Sequence, residues 1–203
     1  MDHRVIAISR EYGSGGREIG EKVARKLSVS FYDKVLLQLA AERSGLTPEF
    51  MERSEERASS SFLFSLATAT HAASSFFYQY NAPASDQAFF AQASVIRDIA
   101  DREDCVIIGR SADHILREYP RCVKVFLYAP LEKRIQRAVE EYDVPQKEAA
   151  DRIAKVDKGR ANYYRHYSGE TWGDTRTHDL CINTAMSGID GAVDLICKMA
   201  EGI

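Results

Sequence analysis

Between an apolar run and a helical one lies Ile8-Ser9-Arg10-Glu11-Tyr12-Gly13-Ser14-Gly15-Gly16-Arg17-Glu18-Ile19-Gly20. Glycines at such a place let backbone amides turn inward around an anion. The N-terminus of the following helix adds its partial positive charge. Arg10 and Arg17 bring full charges whose forked N–H groups match phosphate oxygens. Arg10, Gly13, Ser14, Gly15, Gly16, Arg17 and Glu18 are therefore candidate nucleotide-binding residues. The alternative is a glycine-rich strand-to-helix turn without a ligand, but glycines flanked by two arginines exceed what a turn needs.

Two common phosphate patterns fit poorly. In G-x-x-x-x-G-K-[ST], read from Arg10, Gly15 fits while Gly16 stands at the lysine and Arg17 at the Ser or Thr. A shift of one puts Arg17 at the lysine and Glu18 at the metal-ligand position. The dinucleotide pattern G-x-G-x-x-G loses its third glycine to Glu18. Asp33 follows at about the distance of a ribose-binding acid; it could equally cap a helix running through Arg43.

Other residues are weighed the same way. Gly109 and Arg110 follow an apolar run, at what would be the ligand-binding edge of a sheet; Arg110 is either a phosphate contact or a structural partner of Asp113. Arg134 and Arg137 lie one helical turn apart, with a solvated face as the default reading and phosphate contact as the alternative. Lys155, Asp157, Lys158 and Arg160 form a charge run followed by Asn162-Tyr163-Tyr164-Arg165-His166-Tyr167, which suggests a closing surface. His71, His114, His166 and His178 lack zinc-ligand spacing. Ser59–Ser61 forms no nucleophile elbow.

The elements that must hold these residues alternate. Apolar runs at Val5–Ser9, Val29–Tyr32, Cys105–Gly109, Cys122–Ala129 and Asp179–Thr184 suit strands buried on both faces. Between them, Arg17–Leu27 repeats Ile19, Val23 and Leu27 on one face, with Glu18/Lys22 and Glu21/Arg25 as candidate ion pairs. Thr47-Pro48 signals a helix start, and Ser187 with Asp190 resembles a capping box. Alternation of this kind implies an α/β fold with a mostly parallel sheet. Two stretches stand outside it: the helical, aromatic-rich 47–100 and the polar, basic 145–177, placed where lids would sit.

Ala58–Ser85 holds no Asp, Glu, Lys or Arg but contains Phe62, Phe64, Phe76, Phe77, Tyr78 and Tyr80. Its Ser and Thr content argues against a membrane span. It could pack on the core, wall a ligand site through Tyr78 and Tyr80, or form a self-association surface giving a homodimer.

With 203 residues and a net charge of -3, the chain suits a single domain and gives no sign of wholesale nucleic-acid binding. Cys105, Cys122, Cys181 and Cys197 include no C-x-x-C pair, and Cys105 and Cys181 read as buried thiols. A reducing, cytoplasmic setting fits, with no signal peptide in MDHRVIAIS and no membrane partner.

The segments SREYGSGGREIG, FYDK, CVIIGRSAD, VKVFLYAPLEKRIQR, DKGRANYY and DLCINT, in this order and spacing, resemble the cytidylate-kinase-like family of nucleoside-monophosphate kinases along nearly the whole chain. The resemblance implies a P-loop kinase fold: a five-stranded parallel sheet flanked by helices. The core would be 1–46, 101–144 and 178–203, with an acceptor-binding insertion at 47–100 and a lid at 145–177. It implies transfer of the ATP γ-phosphoryl group to CMP or dCMP with Mg2+. Gly13 to Arg17 would cradle ATP phosphates, and Asp33 would lie near metal and acceptor. Arg97, Gly109 and Arg110 would hold the acceptor, the last two as the centre of a D-G-R-D motif whose flanks are here Ile108 and Ser111. Arg17, Arg110, Arg160 and Asp33 would be catalytic, and Lys155, Asp157 and Arg160 would belong to the lid. A non-catalytic nucleotide-binding or sensing module on the same scaffold is the alternative. A dinucleotide-dependent oxidoreductase is a third reading, opposed by the missing glycine and the basic lid.

Overall fold

The computed structural model describes residues 3–51 and 83–202. Tyr78, Tyr80 and nearly all of Ala58–Ser85 lie outside the described residues.

Five parallel strands form one sheet in the order β2-β3-β1-β4-β5. They are β1 (Val5–Arg10), β2 (Ser30–Tyr32), β3 (Cys105–Ile108), β4 (Cys122–Tyr128) and β5 (Leu180–Asn183). β1 lies centrally, with Val5 level with both Cys105 and Cys122. Continuous apolarity explains that place: Val5, Ile6, Ala7 and Ile8 are all buried.

The helices are α1 (Gly16–Leu27), α2 (Val35–Ser44), α3 (Ala84–Ala100), α4 (Ala112–Ile115), α5 (Leu131–Tyr142), α6 (Gln146–Ser168) and α7 (Thr184–Ala200). A further helix starts at Pro48, where Thr47 Oγ1 accepts from the Phe50 amide at 3.2 Å, as Thr47-Pro48 implies. α1 lays Ile19 and Val23 against Ile6, Ile8, Ile108 and Val193. Burial of each such aliphatic side chain contributes about 1.5–3 kcal/mol.

Some local expectations are corrected. α2 starts after Lys34 without a side-chain cap, so Asp33 does not cap it. Glu18 pairs with Lys22 at 3.2 Å, but Glu21 pairs with Arg17 rather than Arg25. α7 starts earlier than Ser187: Asn183 accepts from the Ala185 amide at 3.1 Å, and Gly188, at φ 67°, kinks the helix. Ser187 bonds the Asn183 and Gly188 carbonyls, and Asp190 pairs with Lys22.

The chain divides into two compact units. The first, Met1–Asp33, Ile96–Asp157 and Gly173–Ile203, carries the sheet. The second comprises Lys34–Val95 and Lys158–Trp172. Its described part is held by Phe89, which stacks on Tyr167 with ring centroids 3.9 Å apart, and by Tyr167 Oη donating to Asp86 Oδ1 at 3.1 Å. Tyr163 and Tyr164 are buried. The aromatic run thus packs inside this unit instead of forming an open closing surface, because helical spacing turns those rings inward.

Candidate active site

The connections leaving β1 and β4 lead to opposite sides of the sheet, toward β2 and β5. Such reversals open a crevice at the carboxyl ends of strands. The loop after β1 begins at this edge. Gly13 and Gly15 hold φ of 84° and 79°, values that favour glycine. A Cβ at Gly13 would stand 2.7 Å from the Arg134 carbonyl, so α5 also needs a glycine there to come this close. Gly15 precedes α1 without a side-chain cap, which leaves the helix N-terminus to the loop itself.

Carboxylates and arginines fix the loop. Glu11 Oε2 accepts from the Ala129 amide at 3.1 Å and lies 3.3 Å from Arg134 Nε. Asp157 Oδ1 accepts from the Tyr12 amide at 2.8 Å, while its Oδ2 meets Arg134 Nη1 at 2.5 Å. Arg134, with 11% of its side chain exposed, therefore sits between two acids. Arg137 pairs with Glu18. The solvated-face reading of these two arginines, and of Asp157, gives way to a structural one: each arginine meets an acid, and Asp157 meets Arg134 and the Tyr12 amide. Burial raises the Glu11 pKa against the opposing pull of the Ala129 amide and Arg134. At Glu18 burial acts the same way, but hydrogen bonds from Lys22 and Arg137 outweigh it and lower the pKa.

Arg17 has 63% of its side chain exposed and lies 3.0 Å from Glu21 and 3.5 Å from Asp33. Asp33 is more enclosed, with 13% of its side chain exposed. Loop, Arg17 and Asp33 are thus brought together in the first unit.

Gly109, Arg110 and Ser111, after β3, have φ of 68°, 59° and 51°. Three consecutive left-handed residues cost roughly 1–2 kcal/mol for each non-glycine, a strain that concentrates at functional sites. The turn is tied down on both sides: Gly109 N donates to Ile8 O at 2.9 Å, and Ala112 N to Gly109 O at 3.0 Å. Asp113 does not partner Arg110 as a structural ion pair would require. Its Oδ1 accepts from Ser9 Oγ at 3.1 Å, and its Oδ2 lies 3.2 Å from His178 Nε2. Sequence reasoning missed this pair. The buried run around Asp113 and the position of His178 just before β5 were the available signals.

Arg97 lies exposed on α3 within the first unit, and Lys155 is exposed on α6. Arg160, half-buried on α6, belongs to the second unit. Among the described residues no cluster of three or more His, Cys, Asp or Glu could hold a metal ion, and no helix is long and apolar enough to cross a membrane. All four cysteines are free, with Cys105 buried as expected and Cys181 half-buried.

This sheet, loop and flanking helices define a P-loop kinase fold. It is shared, at TM-score 0.54 and 17% identity, with a shikimate kinase from Bacteroides thetaiotaomicron, covering 98% of both chains. A gluconokinase from Sinorhizobium meliloti gives TM-score 0.52 at 14% identity, covering 98% of this chain and 94% of that one. Residues 5–186 match the cytidylate kinase-like family, and the chain belongs to that family. The crystal structure of an uncharacterised protein from Eubacterium ventriosum superposes at TM-score 0.71 with 26% identity, over 99% of this chain and 100% of that one. Curated relatives include cytidylate kinases from Thermococcus sibiricus, 33% identical over 102 residues, and Halobacterium salinarum, 28% over 100 residues. Each match covers 49% of this chain, which spans about half the length of these relatives.

Proposed function

We propose that this chain is an ATP-dependent phosphotransferase whose acceptor is a nucleoside monophosphate of the CMP or dCMP kind, with Mg2+ carried on the ATP phosphates. The observation that carries this reading is the loop from Arg10 to Gly16, opening an uncapped helix at the carboxyl edge of the central strand in a member of this family. Gly13 to Arg17 and Glu18 line the donor site. Gly109, Arg110 and Arg97 take the acceptor phosphate, and Lys155, Asp157 and Arg160 belong to a lid; Tyr78 and Tyr80, the remaining acceptor candidates, lie outside the described residues. The γ-phosphorus to bridging-oxygen bond breaks as an acceptor phosphate oxygen bonds to that phosphorus, leaving ADP and a nucleoside diphosphate. Phosphoryl transfer asks the protein mainly for alignment and charge neutralisation.

The donor set fits Mg2+ on this scheme. That ion keeps several waters and binds substrate phosphates with one or two carboxylates, and Asp33 offers one such carboxylate beside the loop. Bound there, the ion would neutralise developing charge on the phosphates. Ile108 and Ser111 are buried and carry no charge, and Asp113 is committed to Ser9 and His178. The Gly109–Arg110 turn therefore serves the acceptor's phosphate more than its base.

Glycine at position 16 favours a second reading, a non-catalytic nucleotide-binding or sensing module. A coupled ADP-release assay with CMP, dCMP, UMP and AMP separates the two. Turnover with any of them supports the kinase. Tight MgATP binding without turnover on any acceptor supports the module.

A further inference from the structure

A Cβ on Gly16 would lie 2.7 Å from Arg10 Cγ and 2.8 Å from Arg10 Cβ, closer than real Cβ atoms approach. The φ of Gly16 is not in the left-handed region, so its backbone admits a side chain. What bars one is the stem of Arg10. At the far end of that stem, a Cβ on Gly109 would lie 1.9 Å from Arg10 Nη1. Arg10 is thus threaded from the end of β1, past the start of α1, to the turn after β3.

The sequence pattern supplies the other half. In the frame that starts at position 10, the usual loop has glycine first and lysine seventh. Here Arg10 is first and Gly16 seventh. The exchange is reciprocal, and it has a spatial counterpart, since the Arg10 stem fills the room a side chain at 16 would take.

We propose that Arg10 is the phosphate-gripping cation that stands in for the loop's absent lysine, delivered from the strand side instead of the helix side. Resting on the nucleotide-binding reading above, the proposal specifies how the donor's polyphosphate is held. The Arg10 head lies against Gly109, at the start of the turn that the reading above gives to the acceptor phosphate. A guanidinium stays charged at all working pH values and offers paired donors to two oxygens of a di- or triphosphate. Arg17 is the rival substitute, delivered from the helix side.

The test is calorimetric titration with MgATP of the wild type, Arg10→Gln, Arg10→Gly, Gly16→Lys and the double variant Arg10→Gly/Gly16→Lys, with melting curves for each. Arg10→Gln keeps a stem and a hydrogen-bonding head, so it should fold while losing roughly ten- to a hundredfold in affinity. Gly16→Lys alone should melt lower, because two stems contend for one space. The double variant, with the lysine in its usual place and both Cβ and Cγ of residue 10 removed, should bind at least tenfold more tightly than Arg10→Gly. Wild-type affinity in Arg10→Gln, an unchanged melting temperature in Gly16→Lys, or a double variant no tighter than Arg10→Gly would each overturn the inference. A wild type that fails to bind MgATP would instead remove the nucleotide reading itself, and this inference with it.

Discussion

His178 Nε2 lies 3.2 Å from Asp113 Oδ2, and both side chains are closed to solvent. The other ring nitrogen, Nδ1, lies 2.9 Å from the Asp174 carbonyl. One ring nitrogen thus meets a carbonyl and the other lies within ion-pair distance of a carboxylate, an arrangement that suits the imidazolium. Burial alone would lower the pKa, but the Asp113 carboxylate and Asp174 carbonyl outweigh it, with Lys124 opposing, and hold it above the ordinary value. Through Ser9 Oγ on Asp113, the pair also pins the end of β1 to the segment after the left-handed turn. Removing one partner of a buried pair costs about 3–5 kcal/mol, and His178→Gln should lose this much. A raised folded-state pKa gives stability that is full below the unfolded value, about 6.5, and is lost as pH rises through the folded value. The melting gap between wild type and His178→Gln should be wider at pH 6 than at pH 9. An equal gap would mean the histidine is neutral.

Arg134 separates Glu11 from Asp157. Arg134→Ala should cost about 1.5–3 kcal/mol, the value of hydrogen bonds to charged groups. It should also make stability more sensitive to pH. The Glu11 pKa is already raised by burial, so the cost of ionising it is absent below its ordinary value near 4.5 and felt as pH rises through the raised one. Without Arg134 that cost grows, and the variant should recover stability relative to wild type between pH 7 and pH 5. A parallel loss at both pH values would show that the arginine acts by packing alone.

The sheet was legible because its strands are continuous apolar runs; each was placed within about a residue or two of its observed end. The glycine loop after β1 was legible because glycine carries local meaning there, and Gly13 and Gly15 do take left-handed backbone. The clasp by Arg134 and Arg137 was not, since a charged helix face reads the same whether water or a carboxylate meets it. The Asp113–His178 pair joins segments distant in sequence, and no spacing rule links them. The last helix was misplaced because Asn183 captures an amide before Ser187 can, and the Gly188 kink hides the earlier start.

Arg17→Ala tests the rival for the lysine's role. With 63% of its side chain exposed, Arg17 is held by surface pairs that are worth little, so the melting temperature should barely change. MgATP affinity should fall by less than it does in Arg10→Gln. A larger loss in Arg17→Ala, measured by the same titration, would return the lysine's role to position 17.

Asp157 offers a way to probe closure of the 145–177 segment. It lies on α6, and its carboxylate holds both the Tyr12 amide, at 2.8 Å, and Arg134, at 2.5 Å. A helix joined to the loop after β1 by this carboxylate, and by Ala149 and Ile153 in one hydrophobic cluster with Tyr12, can report on the loop's occupancy. When MgATP orders the loop, opening of this contact should become rarer, and amide exchange should slow at Tyr12 and along residues 150–160. Adding CMP with a non-hydrolysable ATP analogue should slow it further if the segment closes over both substrates. Asp157→Ala removes the polar contact but leaves Gly13 to Gly16 intact. It should keep MgATP affinity within about tenfold while reducing the ligand-dependent protection on α6. Unchanged protection in the wild type on adding both ligands would rule out closure. Full protection in Asp157→Ala would show that closure proceeds through contacts other than this carboxylate.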